Sequence, residues 1–253
     1  MKDRYQVTLA YDGTDFHGSQ RQPNVRTVQG EVEKALQEIA WKGRKTYFAG
    51  RTDAGVHAAG QVAAFDLDWA HTREDLQRAL NANLPRDISA KKVVKAKQDF
   101  QPRFDALYRR YRYRIRCDPI RDPLQDRYIW RVWPDVNLAR MREASSHLLG
   151  VHDFGALGSP HQEDGSTIRE VREAVWRKEK ETYTFQIVGN AFLYHMVRHI
   201  LILLVEIGQG RKPVNRVAAH LDRPGGPPAR GLAPARGLTL LEVVYPENEV
   251  MAG

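Results

Sequence analysis

The sequence has a single cysteine, Cys117, and no long apolar run. One cysteine cannot form a disulfide within the chain, excludes a cysteine-rich zinc site and is typical of a reducing compartment. The most apolar stretch, residues 200–205, is flanked by Arg198, His199 and Glu206 and is too short to span a bilayer. The first residues are polar and lead straight into a predicted strand, so we expect no signal peptide. These absences predict a cytoplasmic protein that does not enter a membrane.

What the sequence has in excess is positive charge. Its 39 lysines and arginines outnumber its 31 aspartates and glutamates, for a formal net charge of +8 at pH 7. The basic residues are interleaved with aromatic residues rather than confined to a tail. This balance favours a polyanionic partner, nucleic acid first, through phosphate neutralisation and electrostatic steering. The 253 residues are enough to bury a substantial core.

Hydrophobic periodicity predicts an order of strands and helices that occurs roughly twice. In the first half we predict strands at residues 4–10, 45–48, 61–65 and 93–96, with helices at 27–43 and from Thr72, where Asp75 completes a capping box. In the second half we predict strands at residues 111–117, 168–178, 182–188 and 238–245, with helices at 137–149 and about 191–207 and a short helix after Pro213.

The fold class that follows is α+β, with two similar halves at residues 1–105 and 106–253. Each half would pack helices on one face of a mainly antiparallel sheet. The steady strand–helix alternation and the glycine fingerprint of a dinucleotide-binding fold are missing.

The densest group of polar side chains lies at residues 48–57, Phe-Ala-Gly-Arg-Thr-Asp-Ala-Gly-Val-His, between two predicted strands. Arg51, Asp53 and His57 place a guanidinium, a carboxylate and an imidazole on one glycine-flanked turn. Thr-Asp-x-Gly is also ordinary turn chemistry, in which Asp satisfies backbone N–H groups and Gly adopts a positive φ. Taken alone, the segment leaves a purely structural turn open beside a catalytic one.

A pair of histidines in the second half has the spacing of metal ligands. His195 and His199 are four residues apart on a predicted helix, but Met196 stands where a zinc-hydrolase helix has glutamate. No third ligand is evident. Packing or RNA contact is therefore the favoured interpretation, with a metal-dependent hydrolase as the weaker alternative.

Tyr111 and Arg198 are two further candidates. Tyr111 opens a strand that alternates aromatic and arginine residues, and its plain interpretation is an inward-facing ring. Arg198 lies on a helix that is apolar nearly all round, where burying a guanidinium is costly unless it meets a carboxylate or reaches solvent. Asp53 is the natural candidate for such a carboxylate.

Five segments of the chain resemble, in order, the motifs of the TruA family of tRNA pseudouridine synthases. They are residues 11–18 (Tyr-Asp-Gly-Thr-Asp-Phe-His-Gly), 50–58 (Gly-Arg-Thr-Asp-Ala-Gly-Val-His-Ala), 109–113 (Arg-Arg-Tyr-Arg-Tyr), 190–198 (Asn-Ala-Phe-Leu-Tyr-His-Met-Val-Arg) and 235–240 (Ala-Arg-Gly-Leu-Thr-Leu). Several motifs in the family's order are far more specific than any one alone. The resemblance extends along nearly the whole chain.

The resemblance implies an enzyme that isomerises uridine to pseudouridine in the anticodon stem-loop of tRNA, at positions 38, 39 and 40. It also implies the pseudouridine synthase fold, in which two halves share a central sheet, and a homodimer as the working form. The reaction adds no atoms and changes no redox state, so we expect no cofactor and no metal.

The same resemblance gives expectations for individual residues. Asp53 matches the catalytic aspartate, the expected nucleophile, and Arg198 matches the basic residue that pairs with it. Tyr111 matches the tyrosine that lies against the target base, and its hydroxyl could assist in removing the C5 proton. Arg51 matches an arginine implicated in RNA binding and in holding the base out of the stack.

The remaining expected contacts are apolar or electrostatic. Leu240, or less favourably Leu238, would form the floor of the pocket, and the strand of Arg109 and Arg110 would contact phosphates. His57 matches no catalytic role and is expected to be structural or to contact RNA. The rival from another class is a non-catalytic RNA-binding protein that retains the same cleft.

Overall fold

The computed structural model describes residues 2–160 and 165–246. Residue 1 and residues 247–253, the outer ends of the two predicted halves, lie outside these ranges. Up to residue 95 the elements are β1 (Asp3–Tyr11), α1 (Val28–Glu38), β2 (Tyr47–Phe48), β3 (His57–Leu67), α2 (Arg73–Asn83) and β4 (Ile88–Lys95). From residue 108 they are β5 (Tyr108–Cys117), β6 (Trp130–Val132), α3 (Leu138–Ser146), β7 (Gly150–Asp153), β8 (Ile168–Glu179), β9 (Thr182–Gly189), α4 (Met196–Gly208), α5 (Arg216–Leu221) and β10 (Leu238–Val244).

The chain forms two compact units, and the closing strand belongs with the first. One unit holds the residues up to Tyr108 together with those from Thr239 onward, and the other runs from Arg109 to Leu238. The predicted halves, residues 1–105 and 106–253, differ in assigning the closing strand to the second half. The strand lies with the first unit because β10 pairs with β3, in the register Thr239↔His57 and Leu240↔Ala58.

In the first unit, β1 and β3 lie at the centre of the sheet. β1 is antiparallel to both β3 and β4, and β3 also pairs with β2 (antiparallel) and β10 (parallel). Tyr5, Val7 and Leu9 of β1 are almost fully buried, as the period-2 pattern predicts.

The two helices of the first unit begin at the predicted side-chain caps. Thr27 caps α1 by accepting a hydrogen bond from the N–H of Gly30, and the predicted capping box of Thr72 and Asp75 starts α2. α1 ends earlier than predicted, two residues before Ala40, whose φ of 66° is left-handed. α2 packs on β4 and against α1.

In the second unit, β9 lies between β5 and β8 and is antiparallel to both. β7 continues the sheet beside β8, antiparallel to it, and the short β6 runs parallel to β5. The indole N–H of Trp176 on β8 donates to Ser145 Oγ on α3 at 3.0 Å, which fastens this helix to the sheet. The predicted α+β class with mainly antiparallel pairing is confirmed.

The start of α4 corrects the sequence prediction. The helix begins at Met196 rather than near residue 191, because His195 has a left-handed backbone (φ 64°, ψ −2°) through which no α-helix continues. β6 and β7 escaped prediction because segments of three and four residues carry too little periodicity. None of the helices in the described ranges is long and apolar enough to span a membrane.

Candidate active site

Asp53 lies half-buried on the turn that connects β2 to β3. The N–H of Val56 donates to the Asp53 carbonyl at 3.1 Å, and Gly55 has a φ of 78°. The positive φ predicted for the glycine of this turn is therefore present, and it does not decide between a structural and a catalytic role. The surrounding contacts are more informative.

The early loop, residues 12–19, packs directly against the Asp53 turn. The N–H of Ser19 donates to the Thr52 carbonyl at 3.0 Å, and the N–H of Thr52 donates to Ser19 Oγ at 2.8 Å. On the other side of Asp53, the N–H of Gly55 donates to the Phe16 carbonyl at 3.3 Å. The backbone is thus held by the early loop both before and after the carboxylate.

Two glycines make this close approach possible. A Cβ added to Gly13 would lie 2.0 Å from the carbonyl oxygen of Val56, and one added to Gly18 would lie 2.9 Å from that of Thr52. Gly18 also has a φ of 91°. The obstructing atoms are backbone, so no side-chain rotation could relieve the overlap.

The buried phenol of Tyr11 contacts the Asp53 turn through Thr52. Tyr11 Oη lies 2.8 Å from Thr52 Oγ1, and the side-chain amide of Gln61 donates to Tyr11 Oη at 3.4 Å and to the Gly50 carbonyl at 3.0 Å. Burial raises the pKa of Tyr11 to about 12, so the phenol stays protonated at neutral pH. The sequence pattern does not predict this network, because its members are up to 50 residues apart along the chain.

We expect Tyr11→Phe to lower the free energy of unfolding by about 1 kcal/mol, because Thr52 Oγ1 and the Gln61 amide lose a buried partner. Urea unfolding of Tyr11→Phe, Thr52→Val and the double variant measures the coupling, which should be at least about 0.5 kcal/mol for groups in contact. Tyr5→Phe is the matched control, since Tyr5 is buried too but its hydroxyl has no hydrogen bond to a described residue. Additive effects at Tyr11 and Thr52 would contradict the network.

His57 joins the two loops from the first position of β3. Its ring is 4% exposed, and Nδ1 accepts a hydrogen bond from the N–H of Gly13 at 3.0 Å. The same nitrogen lies 3.2 Å from Asp12 Oδ1. Of the two roles expected for His57, the structural one fits this burial.

The other site residues predicted in the first unit are Arg51 and Leu240. Arg51 is exposed. Leu240 is fully buried (0% exposed) and pairs with Ala58, at the start of the strand that follows the Asp53 turn. The first unit therefore places Asp53 and Arg51 on the turn between β2 and β3. Leu240 lies on β10, beside the first residues of β3.

Tyr111 and Arg198 both lie in the second unit. Tyr111 is 9% exposed, and its ring contacts Phe192 edge to face, with centroids 5.2 Å apart. Arg198 lies on α4, and its Nε donates to the Ala233 carbonyl at 2.8 Å. This contact fixes the position of the guanidinium within the second unit. The pairing of Arg198 with Asp53 stays a prediction.

The arginines of β5 differ in their surroundings. Arg109 is buried, and its Nη1 donates to the Asn190 carbonyl at 2.6 Å. Arg110 Nη1 lies 2.9 Å from Glu173 Oε2. Burial, and then the charge of Arg112, lower the pKa of Arg114. The Nε atoms of Arg112 and Arg114 are buried without a hydrogen-bond partner in the described ranges.

The histidine pair lies at the start of α4 rather than within it. His195 is the N-cap residue, with a left-handed backbone, and its carbonyl accepts a hydrogen bond from the N–H of His199 at 3.0 Å. His199 Nδ1 lies 2.8 Å from the Gly231 carbonyl, and burial lowers the pKa of this histidine. Within the described ranges, no group of three or more His, Cys, Asp or Glu side chains could hold a metal ion.

Cys117 is also poorly suited to chemistry. Burial, with a contribution from the neighbouring Asp135, raises the pKa of the Cys117 thiol to about 12. A thiol is nucleophilic as the thiolate, which such a group does not form at neutral pH. The carboxylate of Asp53 is therefore the stronger nucleophile candidate.

Comparison with known proteins places the chain among RNA-modifying enzymes. A family model described as tRNA pseudouridine synthase matches residues 8–105 and 144–246. The tRNA pseudouridine synthase A of Limosilactobacillus fermentum is 41% identical over 247 residues, which are 96% of each chain. That of Lactiplantibacillus plantarum is 39% identical over 257 residues, covering 100% of this chain and 98% of the relative.

A relative from a third genus gives the same result. The tRNA pseudouridine synthase A of Thermosipho africanus is 40% identical over 243 residues, covering 96% of this chain and 99% of the relative. Among solved structures, a Cbf5–Nop10–Gar1 complex matches with a TM-score of 0.29 and 12% identity, over 79% of this chain and 54% of that chain. On the family model and the full-length relatives, the chain belongs to the tRNA pseudouridine synthase family, whose members are isomerases.

Proposed function

We propose that this protein converts uridine to pseudouridine in the anticodon stem-loop of tRNA, at positions 38, 39 and 40. Family membership and full-length relatives near 40% identity support the reaction class and the tRNA substrate. The observation that carries the proposal is the Asp53 turn, which buried hydrogen bonds hold on both sides of a half-buried carboxylate. A turn that only reversed the chain would not need such support.

The reaction breaks the N1–C1′ bond of uridine, turns the uracil and joins C5 to C1′. It needs a nucleophile but no redox partner, and Asp53 is the residue to which we assign that role. A carboxylate that is enclosed in a pocket with a nucleobase stays ionised most readily when a cation lies beside it. Arg198, already oriented by the Ala233 carbonyl, is our candidate for that cation.

The target base must leave its stack before it can react, at a cost of a few kcal/mol. We assign Tyr111 to contact the extruded base and to assist C5 proton removal. Arg51, exposed on the catalytic turn, would hold the base out of the stack, and Leu240 would form an apolar floor. Arg109 and Arg110 mark the arginine-rich strand proposed to contact phosphates, with the net charge of +8 adding long-range attraction. A cytoplasmic homodimer is the proposed working form.

The test is to incubate the purified full-length protein with three unmodified tRNA transcripts, each with uridine at only one of positions 38, 39 and 40. We expect pseudouridine at each position after chemical mapping, with chelator present and no cofactor added. Pseudouridine only elsewhere in the tRNA would overturn the anticodon assignment. Binding without any pseudouridine would favour the non-catalytic RNA-binding alternative.

A further inference from the structure

A pair of stacked rings, the exposed Tyr194 and the half-buried His195, lies immediately before α4. The rings of Tyr194 and His195 are nearly parallel, at 26°, with centroids 3.7 Å apart. Tyr194 is 49% exposed. Leu193 and Met196, the residues on either side of the pair, are buried, with 4% and 0% of their surface exposed. Buried apolar side chains thus anchor the segment at both ends and leave the Tyr194 ring at the surface.

The backbone beneath the rings is strained and firmly held. His195 has a φ of 64°, a conformation that costs energy for a residue with a Cβ. The N–H of Tyr194 donates to the Ser159 carbonyl at 2.9 Å, and the N–H of Ser159 donates to the Tyr194 carbonyl at 3.2 Å. A Cβ added to Gly158 would lie 2.8 Å from Leu193 Cβ, so the support is also tightly packed. Strain of this kind collects at functional positions.

We propose that Tyr194, backed by His195, is a stacking platform for an unpaired base of the RNA substrate, next to the base that is isomerised. This inference rests on the proposed function. Extruding one base leaves its neighbours without a stacking partner on one side, and aromatic side chains recognise unpaired bases by stacking. Because the Tyr194 ring is already stacked on His195, it loses little freedom when a base stacks on it.

The position of the pair in the sequence supports the placement near the target. Arg198, the proposed partner of the catalytic carboxylate, lies on the first turn of the helix that the pair precedes. The His195 ring also contacts His199, with centroids 6.1 Å apart, and His199 is tied to the Gly231 carbonyl. The rings therefore have a fixed position relative to Arg198 within the second unit.

The experiment measures Kd for a synthetic anticodon stem-loop RNA, in the Asp53→Asn background of the full-length protein so that no turnover occurs. Tyr194→Ala should weaken binding about 5- to 150-fold, the range for loss of one stacked base, and Tyr194→Phe should stay within about twofold of the parent. Tyr194→Leu, which keeps apolar bulk without a ring, should bind as weakly as Tyr194→Ala. Phe104→Ala is the control, because Phe104 is more exposed (78%) and lies on another segment.

A second set of RNAs, each abasic at one unpaired loop position, identifies the base. The RNA that lacks the base stacked on Tyr194 should bind about equally to the parent protein and to Tyr194→Ala. Unchanged binding of both Tyr194→Ala and Tyr194→Leu, or an equal loss in Phe104→Ala, would overturn the platform. Pseudouridine formation by the otherwise native protein is measured separately, so failure of the platform and failure of the proposed function are distinguishable.

Discussion

Replacement of Asp53 by asparagine should reduce pseudouridine formation on the order of 10⁴-fold or more, as when the nucleophile of a covalent mechanism is removed. The amide keeps the shape of the side chain but cannot attack the substrate. Binding of tRNA should stay within a few-fold of the native value, because phosphate contacts dominate affinity and Asp53 is not one of them. The substitution should therefore remove catalytic activity while leaving the affinity for tRNA nearly unchanged.

Tritium release from tRNA labelled at uridine C5 measures the reaction, and filter binding measures the affinity. Asp15→Asn is the matched control, since Asp15 is an exposed carboxylate in the loop that packs on the same turn. We expect this control to stay within about threefold of native activity, the latitude usual for surface substitutions. Turnover by Asp53→Asn at a tenth of the native rate or faster would rule out Asp53 as the nucleophile.

Gly13→Ala should be the most damaging small substitution in the first unit. Its methyl group would lie 2.0 Å from the Val56 carbonyl oxygen and 2.5 Å from the Val56 carbonyl carbon, so the early loop must move away from the Asp53 turn. We expect a loss of about 1–3 kcal/mol in the free energy of unfolding, the usual cost of overpacking. The rate of pseudouridine formation should fall about 100-fold, since a shift of about 1 Å in a catalytic group has that effect.

Gly50→Ala is the matched control on the same turn. Outside residues 49–51, no atom of the described ranges lies within 4 Å of a Cβ added to Gly50, and Gly50 is not left-handed. This variant should unfold at the same urea concentration as the native protein or a higher one, since an alanine that fits restricts the unfolded chain. Equal losses of activity in the two variants would mean that overlap with Val56 is not the cause.

The sequence predicted best what is decided by neighbouring residues. The caps at Thr27 and Thr72 are confirmed because a cap uses residues only two or three positions apart. The start of α4 was wrong because the left-handed His195 is held by contacts around Ser159, some 35 residues earlier, a distance that pattern analysis does not register.

The same distinction between neighbouring and distant residues applies to the candidate site. Asp53 and His57 could be selected from the sequence because they share one short, polar turn. Their support by Tyr11, Ser19 and Gln61 could not, since it depends on which loops meet after folding. The resemblance supplied roles for distant residues, but it gave no contacts.

The pairing of β10 with β3 has a consequence for the order in which the protein is made. The unit that carries Asp53 starts at the beginning of the chain, yet it also needs the strand that begins at Leu238. The second unit is a continuous segment and leaves the ribosome before that strand. During synthesis, the unit that begins first is therefore completed last, and Leu240 takes its place beside Ala58 only after the whole second unit has been translated.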